Sequence, residues 1–178
     1  MAFITIIHMK TLYNFLDEST LSLAHQEMED LKKQNNWSIN RNYWGIKSYE
    51  GGSPGTVGIV HASTQLAERV MGVLSSHVPK ADKISVLHYL WYPLSGINMH
   101  NDGNKIFGAT IYLTPEWNVN WGGLFVYDDG NGGLQAKIPH YNSTSINVNK
   151  TYHMVTTVSP LCPYPRYTLQ IFGENYET

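Results

Sequence analysis

Two spacings of apolar residues divide the chain. In the first third they recur at three- and four-residue intervals: Leu21, Ala24, Met28 and Leu31 line one side of a stretch whose other positions carry Glu27, Glu29, Asp30, Lys32 and Lys33. This predicts an amphipathic helix, with Asp17 and Ser19 as N-cap oxygens. A second helix is predicted from Thr64 to Ser76 on the stripe Leu66, Val70 and Leu74, stopped by Pro79. A strand is expected at Phe3 to His8. From Trp37 to Ser53 aromatic residues mix with Asn and Gly, and the run ends in Gly51-Gly52-Ser53-Pro54-Gly55, which reads as a loop, either a lid or a packed connector.

From Ile84 the spacing becomes that of strands. Eight are predicted: Ile84 to Tyr92, Ile97 to Asn101, Phe107 to Leu113, Leu124 to Tyr127, Leu134 to Ile138, Ser145 to Val148, Tyr152 to Val158 and Arg166 to Phe172, separated by Gly- and Pro-bearing turns. Short strands at near-regular spacing after a helical start predict a mainly β (α+β) protein, a sandwich or jelly roll with helices packed on one sheet. A single domain over 1–178 is expected, with 1–82 supplying a strand and supporting helices and 83–173 the jelly-roll core.

The alternation has a further content. In Phe107–Leu113 one face is Phe, Ala, Ile and Leu and the other Gly, Thr and Tyr; in Arg166–Phe172 one face is Tyr, Leu and Ile and the other Arg, Thr, Gln and Phe. A solvated face would carry a Lys/Glu mixture. These hydroxyl-rich faces predict a cavity lining, with the apolar faces under the helices.

Composition narrows the function classes. A formal net charge of −2 gives no overall attraction to phosphate backbones or anionic lipids, so nucleic acid is not expected as a partner. The single cysteine, Cys162, excludes an intrachain disulfide and a Cys-based cluster. No apolar run approaches the length of a bilayer span, and the first strand lacks the features of a secretory signal. A soluble, cytoplasmic protein without membrane partners is expected.

The candidate chemistry starts at Asn98-Met99-His100-Asn101-Asp102-Gly103. In extended backbone residues i and i+2 share a face, so His100 and Asp102 can offer a nitrogen and an anionic oxygen to one point. His153 is the best-placed third ligand, because a jelly roll brings its late strand beside that of His100. His88 shares a face with Tyr92 and either enters the cavity or is a hydrogen-bonded core histidine. Two imidazoles and one carboxylate leave three positions open, which suits non-haem Fe(II); zinc with a hydrolytic water is the chemical competitor. An Arg166 facing inward would be a costly unpaired cation. It calls for a dicarboxylic ligand, with Tyr112 and Thr168 in reach, or for a structural partner such as Asp128 or Asp129.

His100-Asn101-Asp102, Ala109 to Trp117, Trp121-Gly122-Gly123-Leu124-Phe125-Val126-Tyr127, His153 and Arg166-Tyr167-Thr168 occur in the order that resembles the 2-oxoglutarate- and Fe(II)-dependent dioxygenases, in their prolyl-hydroxylase-like branch. The resemblance implies a double-stranded β-helix of the cupin type. It implies Fe(II) on His100, Asp102 and His153, and the distal carboxylate of 2-oxoglutarate on Arg166 with Tyr112 and Thr168. Tyr92 would stand near the cosubstrate's other end. The implied reaction uses O2 to hydroxylate an unactivated C–H bond while 2-oxoglutarate is decarboxylated to succinate. Asp102 fills the position that halogenating relatives leave vacant, and the absence of a second Arg after Arg166 argues against nucleic-acid demethylation. A prolyl residue in a peptide or protein, or a free amino acid or other small molecule, is the expected substrate, selected by Tyr43 to Gly55 and Trp117 to Trp121. A non-catalytic jelly-roll ligand-binding module is the alternative.

Overall fold

The computed structural model describes residues 9–34, 38–43, 54–148 and 150–176. Two antiparallel sheets face each other, with both helices on the outer face of the larger one. The larger sheet has seven strands, from β1 (Lys10–Leu12) at one edge through β9 (Thr144–Asn147), β6 (Phe107–Tyr112), β11 (Arg166–Glu174), β4 (Lys83–Trp91) and β3 (Pro54–His61) to β2 (Ser38–Tyr43). The smaller has four, β5 (Ile97–His100), β10 (His153–Val155), β7 (Phe125–Asp128) and β8 (Leu134–Lys137). This is a jelly roll with two helices, as the alternating pattern predicts.

Helix α1 (Glu18–Gln34) starts where Asp17 Oδ1 accepts the Thr20 backbone N–H at 2.7 Å, and Lys32 and Lys33 lie in the last turn, where the helix dipole favours cations. Its buried stripe is Thr20, Leu21, Ala24 and Met28. Helix α2 (Thr64–Leu74) is capped by Ser63, whose Oγ accepts the Leu66 N–H at 3.1 Å. Leu66, Val70 and Leu74 have no exposed surface, and each contributes about 2 kcal/mol of burial free energy.

Both stripes press on one face of the large sheet: Val86 and Leu90 of β4, Phe107, Ala109 and Ile111 of β6, and Tyr167, Leu169 and Ile171 of β11 form one cluster with the helix residues. The opposite residues of the same strands look toward the small sheet. Register fixes this, since Leu169 stands opposite Ile111 and His88, and Gln170 opposite Thr110 and Leu87.

Two expectations are corrected. The stretch read as a loop contains the strand β2 and ends in the first residues of its partner β3, the two paired from Ser38↔Ile59 to Tyr43↔Pro54. The run Thr56-Val57-Gly58-Ile59-Val60, rich in β-branched residues, carries a strand signal, whereas Ser38–Tyr43 has one aliphatic residue, Ile39, and is a strand because β3 offers it a ladder. The proposed lid falls mostly on 44–53, outside the described residues, as does the expected strand Phe3–His8.

Candidate active site

β5, an edge strand of the small sheet, pairs with β10, and there His100 and His153 stand directly opposite each other. Asp102 follows β5 on a turn in which the Gly103 N–H donates to Asn101 Oδ1 at 3.1 Å, with Gly103 at φ 61°. The result brings the three predicted ligands together. His100 Nε2 and His153 Nε2 lie 3.8 and 3.7 Å from the same Asp102 Oδ1, and one ligand atom from each residue lies within 4.8 Å of the others.

Each imidazole is held from behind. His100 Nδ1 donates to the Asn98 carbonyl at 2.7 Å and His153 Nδ1 to the Thr151 carbonyl at 2.9 Å. A carbonyl only accepts, so both Nδ1 atoms carry the proton and both Nε2 lone pairs face Asp102, the tautomer a metal requires. Burial, with His153 adding to it, pushes the His100 pKa down and favours the neutral ligand form. Asn147 braces the His153 side, its amide N–H donating to the Thr151 carbonyl and its Oδ1 accepting the Thr151 N–H, both at 3.1 Å. Gly108 of β6 makes the room: a Cβ there would stand 2.8 Å from Asp102 Oδ2.

A cavity of about 630 Å³ opens between the sheets at this point. Its lining includes His100, Asp102 and His153, Ser85, Leu87, Tyr89 and Trp91 of β4, Thr110 of β6, and Gln170, Phe172 and Glu174 of β11. The hydroxyl-rich faces thus line a cavity, but it stops short of Arg166, Thr168 and Tyr112, all of which are completely buried beyond it.

Arg166 is the anomaly. It has no exposed surface, and none of its three guanidinium nitrogens has a hydrogen-bond partner among the described residues. It lies against the rings of Tyr112 at 5.2 Å and Trp91 at 5.6 Å. The Tyr112 phenol favours the cation electrostatically without reaching hydrogen-bond geometry, and its oxygen is 3.2 Å from Ser145 Oγ. Burial pushes the Arg166 pKa down to about 10, so it remains charged at neutral pH. Asp128 and Asp129 do not satisfy it, since their carboxylates accept backbone N–H groups of the Gly130–Gly133 loop. Thr168 accepts a long hydrogen bond of 3.4 Å from Trp91 Nε1.

Tyr92 is not in this space. Strand parity turns it to the helix face, where it packs on the helix cluster, and Tyr89 takes the cavity position. Burial, helped by the charge of Asp102, pushes the Tyr89 phenol up to about 12. Counting alternate residues along Ile84–Tyr92 from the face of Val86 would have found it. His88 also faces the helices and donates to Glu27 Oε2 at 3.0 Å. Trp117 and Trp121 stand at the Arg166 end, not at the metal-side mouth. The Gly122-Gly123 bend, both residues at positive φ, folds them there: a Cβ on Gly123 would meet Trp117 at 2.9 Å and Arg166 Cδ at 3.1 Å.

No protein-family model matches the sequence, and no curated protein matches it. Solved structures do. A prolyl-4-hydroxylase of Pseudomonas putida superposes with a TM-score of 0.70 at 12% identity, over 96% of this chain and 94% of that one. A prolyl hydroxylase of Trichoplax adhaerens, solved with a hypoxia-inducible-factor peptide fragment, gives 0.71 at 15% identity, over 94% and 83%. The non-haem α-ketoglutarate-dependent carbocyclase SnoK of nogalamycin biosynthesis gives 0.63 at 12%, over 94% and 80%. At these identities the likeness establishes the fold, a jelly roll shared with 2-oxoglutarate oxygenases.

Proposed function

We propose that this chain is an Fe(II)- and 2-oxoglutarate-dependent oxygenase that hydroxylates an unactivated C–H bond. The observation that carries the reading is the coincidence, between two sheets, of a His–Asp–His face with both Nε2 lone pairs preset and a buried arginine with no partner. The donor set fits Fe(II), since two imidazoles and a carboxylate leave three positions for other ligands. The orphan guanidinium fits a carboxylate, which it would bind bidentately with about 1.5–3 kcal/mol of net stabilisation.

His100, Asp102 and His153 would hold the iron, and Arg166, with the Tyr112 and Thr168 hydroxyls beside it, the distal carboxylate of 2-oxoglutarate. Because Arg166 lies beyond the open cavity, the side chains at that end, Trp91 foremost, must yield to admit the ligand. Fe(II) with 2-oxoglutarate supplies the oxidising power: one O2 is consumed, one oxygen enters the substrate as hydroxyl, the other enters succinate, and CO2 leaves. The protein orients and shields. Tyr89 shares the cavity with Asp102 as a neutral phenol, and Phe125 and Val155 would keep the surroundings of the metal apolar. The prolyl hydroxylases among the structural neighbours, one of them solved with a peptide fragment, support a prolyl residue of a peptide as substrate; a free amino acid is the other substrate class.

Anaerobic addition of Fe(II) and 2-oxoglutarate should produce a weak visible charge-transfer absorption, and admission of air should then release succinate. Absence of both overturns the reading.

A further inference from the structure

The metal-side mouth of the cavity carries a feature that iron and keto acid leave unused. Apart from Asp102, the described residues of the lining include two side chains with full charges, Lys105 and Glu174, and they are ion-paired with each other across the rim. They stand on the two elements that flank the metal carboxylate. Lys105 closes the turn after Asp102, its N–H donating to the Asp102 carbonyl at 3.2 Å, and its Nζ lies 5.9 Å from the Phe172 ring. Glu174 follows two residues after Phe172, on the same face of β11, and Phe172 lies across the sheet from Gly108, whose position sets the depth of Asp102. The pair therefore sits one step outward from the metal face.

We infer that Lys105 and Glu174 form a recognition site for a small zwitterion, a free amino acid, as the oxygenase's substrate. This rests on the function proposed above and deepens it. With 27% and 22% of their side chains exposed, the two ends are in contact with water, where an ion pair contributes little and is cheaply opened. A zwitterion replaces each lost partner with its like: the ammonium group meets Glu174, the carboxylate meets Lys105, and the rim stays neutral. Inside the rim, Leu87, Met99 and Phe172 give an apolar path for a side chain to reach the metal face. A residue in mid-peptide carries neither charge and would set neutral amides against a closed ion pair. The cavity, at about 630 Å³, lies within the range of small-molecule sites.

The test begins on the whole protein with the anaerobic absorption, so that an absent band overturns the oxygenase reading and this inference with it. With the band present, succinate release is followed with the twenty free protein amino acids, their N-acetyl amides, and proline-containing peptides. The expected result is that at least one free amino acid raises the rate tenfold or more over the substrate-free rate while its blocked form does not. Lys105→Met should raise the KM for that amino acid at least tenfold more than it lowers kcat. The double exchange K105E/E174K, whose melting temperature reports whether the reversed pair has formed, should leave the KM for that amino acid raised at least tenfold. A full rescue by that exchange, equal use of blocked amino acids or prolyl peptides, or no response to any free amino acid overturns the zwitterion site.

Discussion

His88 and Arg166 are sunk into opposite faces of one sheet, on neighbouring strands, and both are almost inaccessible, at 1% and 0% exposure. Their surroundings differ. His88 meets Glu27 of α1 at 3.0 Å, and the same carboxylate accepts the Ser63 N–H at 3.1 Å and the Ser63 hydroxyl, so one acid ties α1, the α2 cap and β4 together. Arg166 has aromatic rings around it and no acceptor. A buried ionisable group with a protein partner reads as architecture, and one without reads as half of a ligand site, because desolvating an unpaired charge is too costly to persist without use. Substitutions on the two sides should therefore act on different quantities.

The largest effect is expected at the metal face. Asp102→Ala should lower succinate formation at least about 100-fold and abolish the anaerobic absorption, since the proposed metal would lose its anionic ligand; losses of 10–100-fold follow even from changes behind metal ligands. The melting temperature should stay near wild type, because no protein hydrogen bond rests on the Asp102 carboxylate. Collapse of the fold in this variant would mean that the triad is structural.

Arg166→Met should raise the dissociation constant for 2-oxoglutarate about 10- to 150-fold, the equivalent of one bidentate charge-assisted pair. The same change should stabilise the ligand-free protein by about 1–4 kcal/mol, since an apolar side chain of similar length replaces an unpaired buried cation. Equilibrium unfolding with and without the keto acid measures both. A destabilised variant with unchanged affinity would place Arg166 with His88 as architecture.

On the helix side the sign reverses. Glu27→Ala strands the His88 N–H and the two Ser63 donors and should cost about 2 kcal/mol of stability, with 2-oxoglutarate affinity unchanged. Burial alone would raise the Glu27 pKa, but hydrogen bonds from His88 and Ser63 outweigh it and hold it below the ordinary 4.5. A depressed carboxylate stabilises fully above its unfolded value, and that stabilisation fades as pH falls through the folded value. Glu27→Gln should flatten the loss of stability below pH 4.5 relative to wild type.

What could be read in the sequence follows the same division. The helices, the eight later strands, both faces of β6 and β11 and the convergence of His100, Asp102 and His153 were legible, since each rests on local spacing or on chain order in a jelly roll. Arg166 was legible as an inward cation, and its lack of a partner needed the packed neighbours. The Glu27–His88 tie joins residues 61 apart and has no local signal. β2 is a strand through its neighbour, and the burial of Arg166 beyond the cavity depends on where Trp91 comes to rest. Tyr92 was misplaced because its motif position was followed and strand parity was not.

That parity supports the smallest effect and the sharpest contrast. Tyr89 and Tyr92 are three residues apart on one strand and its end, on opposite faces of the sheet. Tyr89→Phe removes a cavity hydroxyl beside Asp102 and should weaken cosubstrate binding or turnover about 2- to 10-fold, the range of one hydrogen bond. Tyr92→Phe removes a hydroxyl from the helix side and should leave both unchanged. Titrating 2-oxoglutarate into the two variants under argon compares them directly. If Tyr92→Phe is the one that loses affinity, β4 runs one residue out of the register described, and every side chain of that strand exchanges faces.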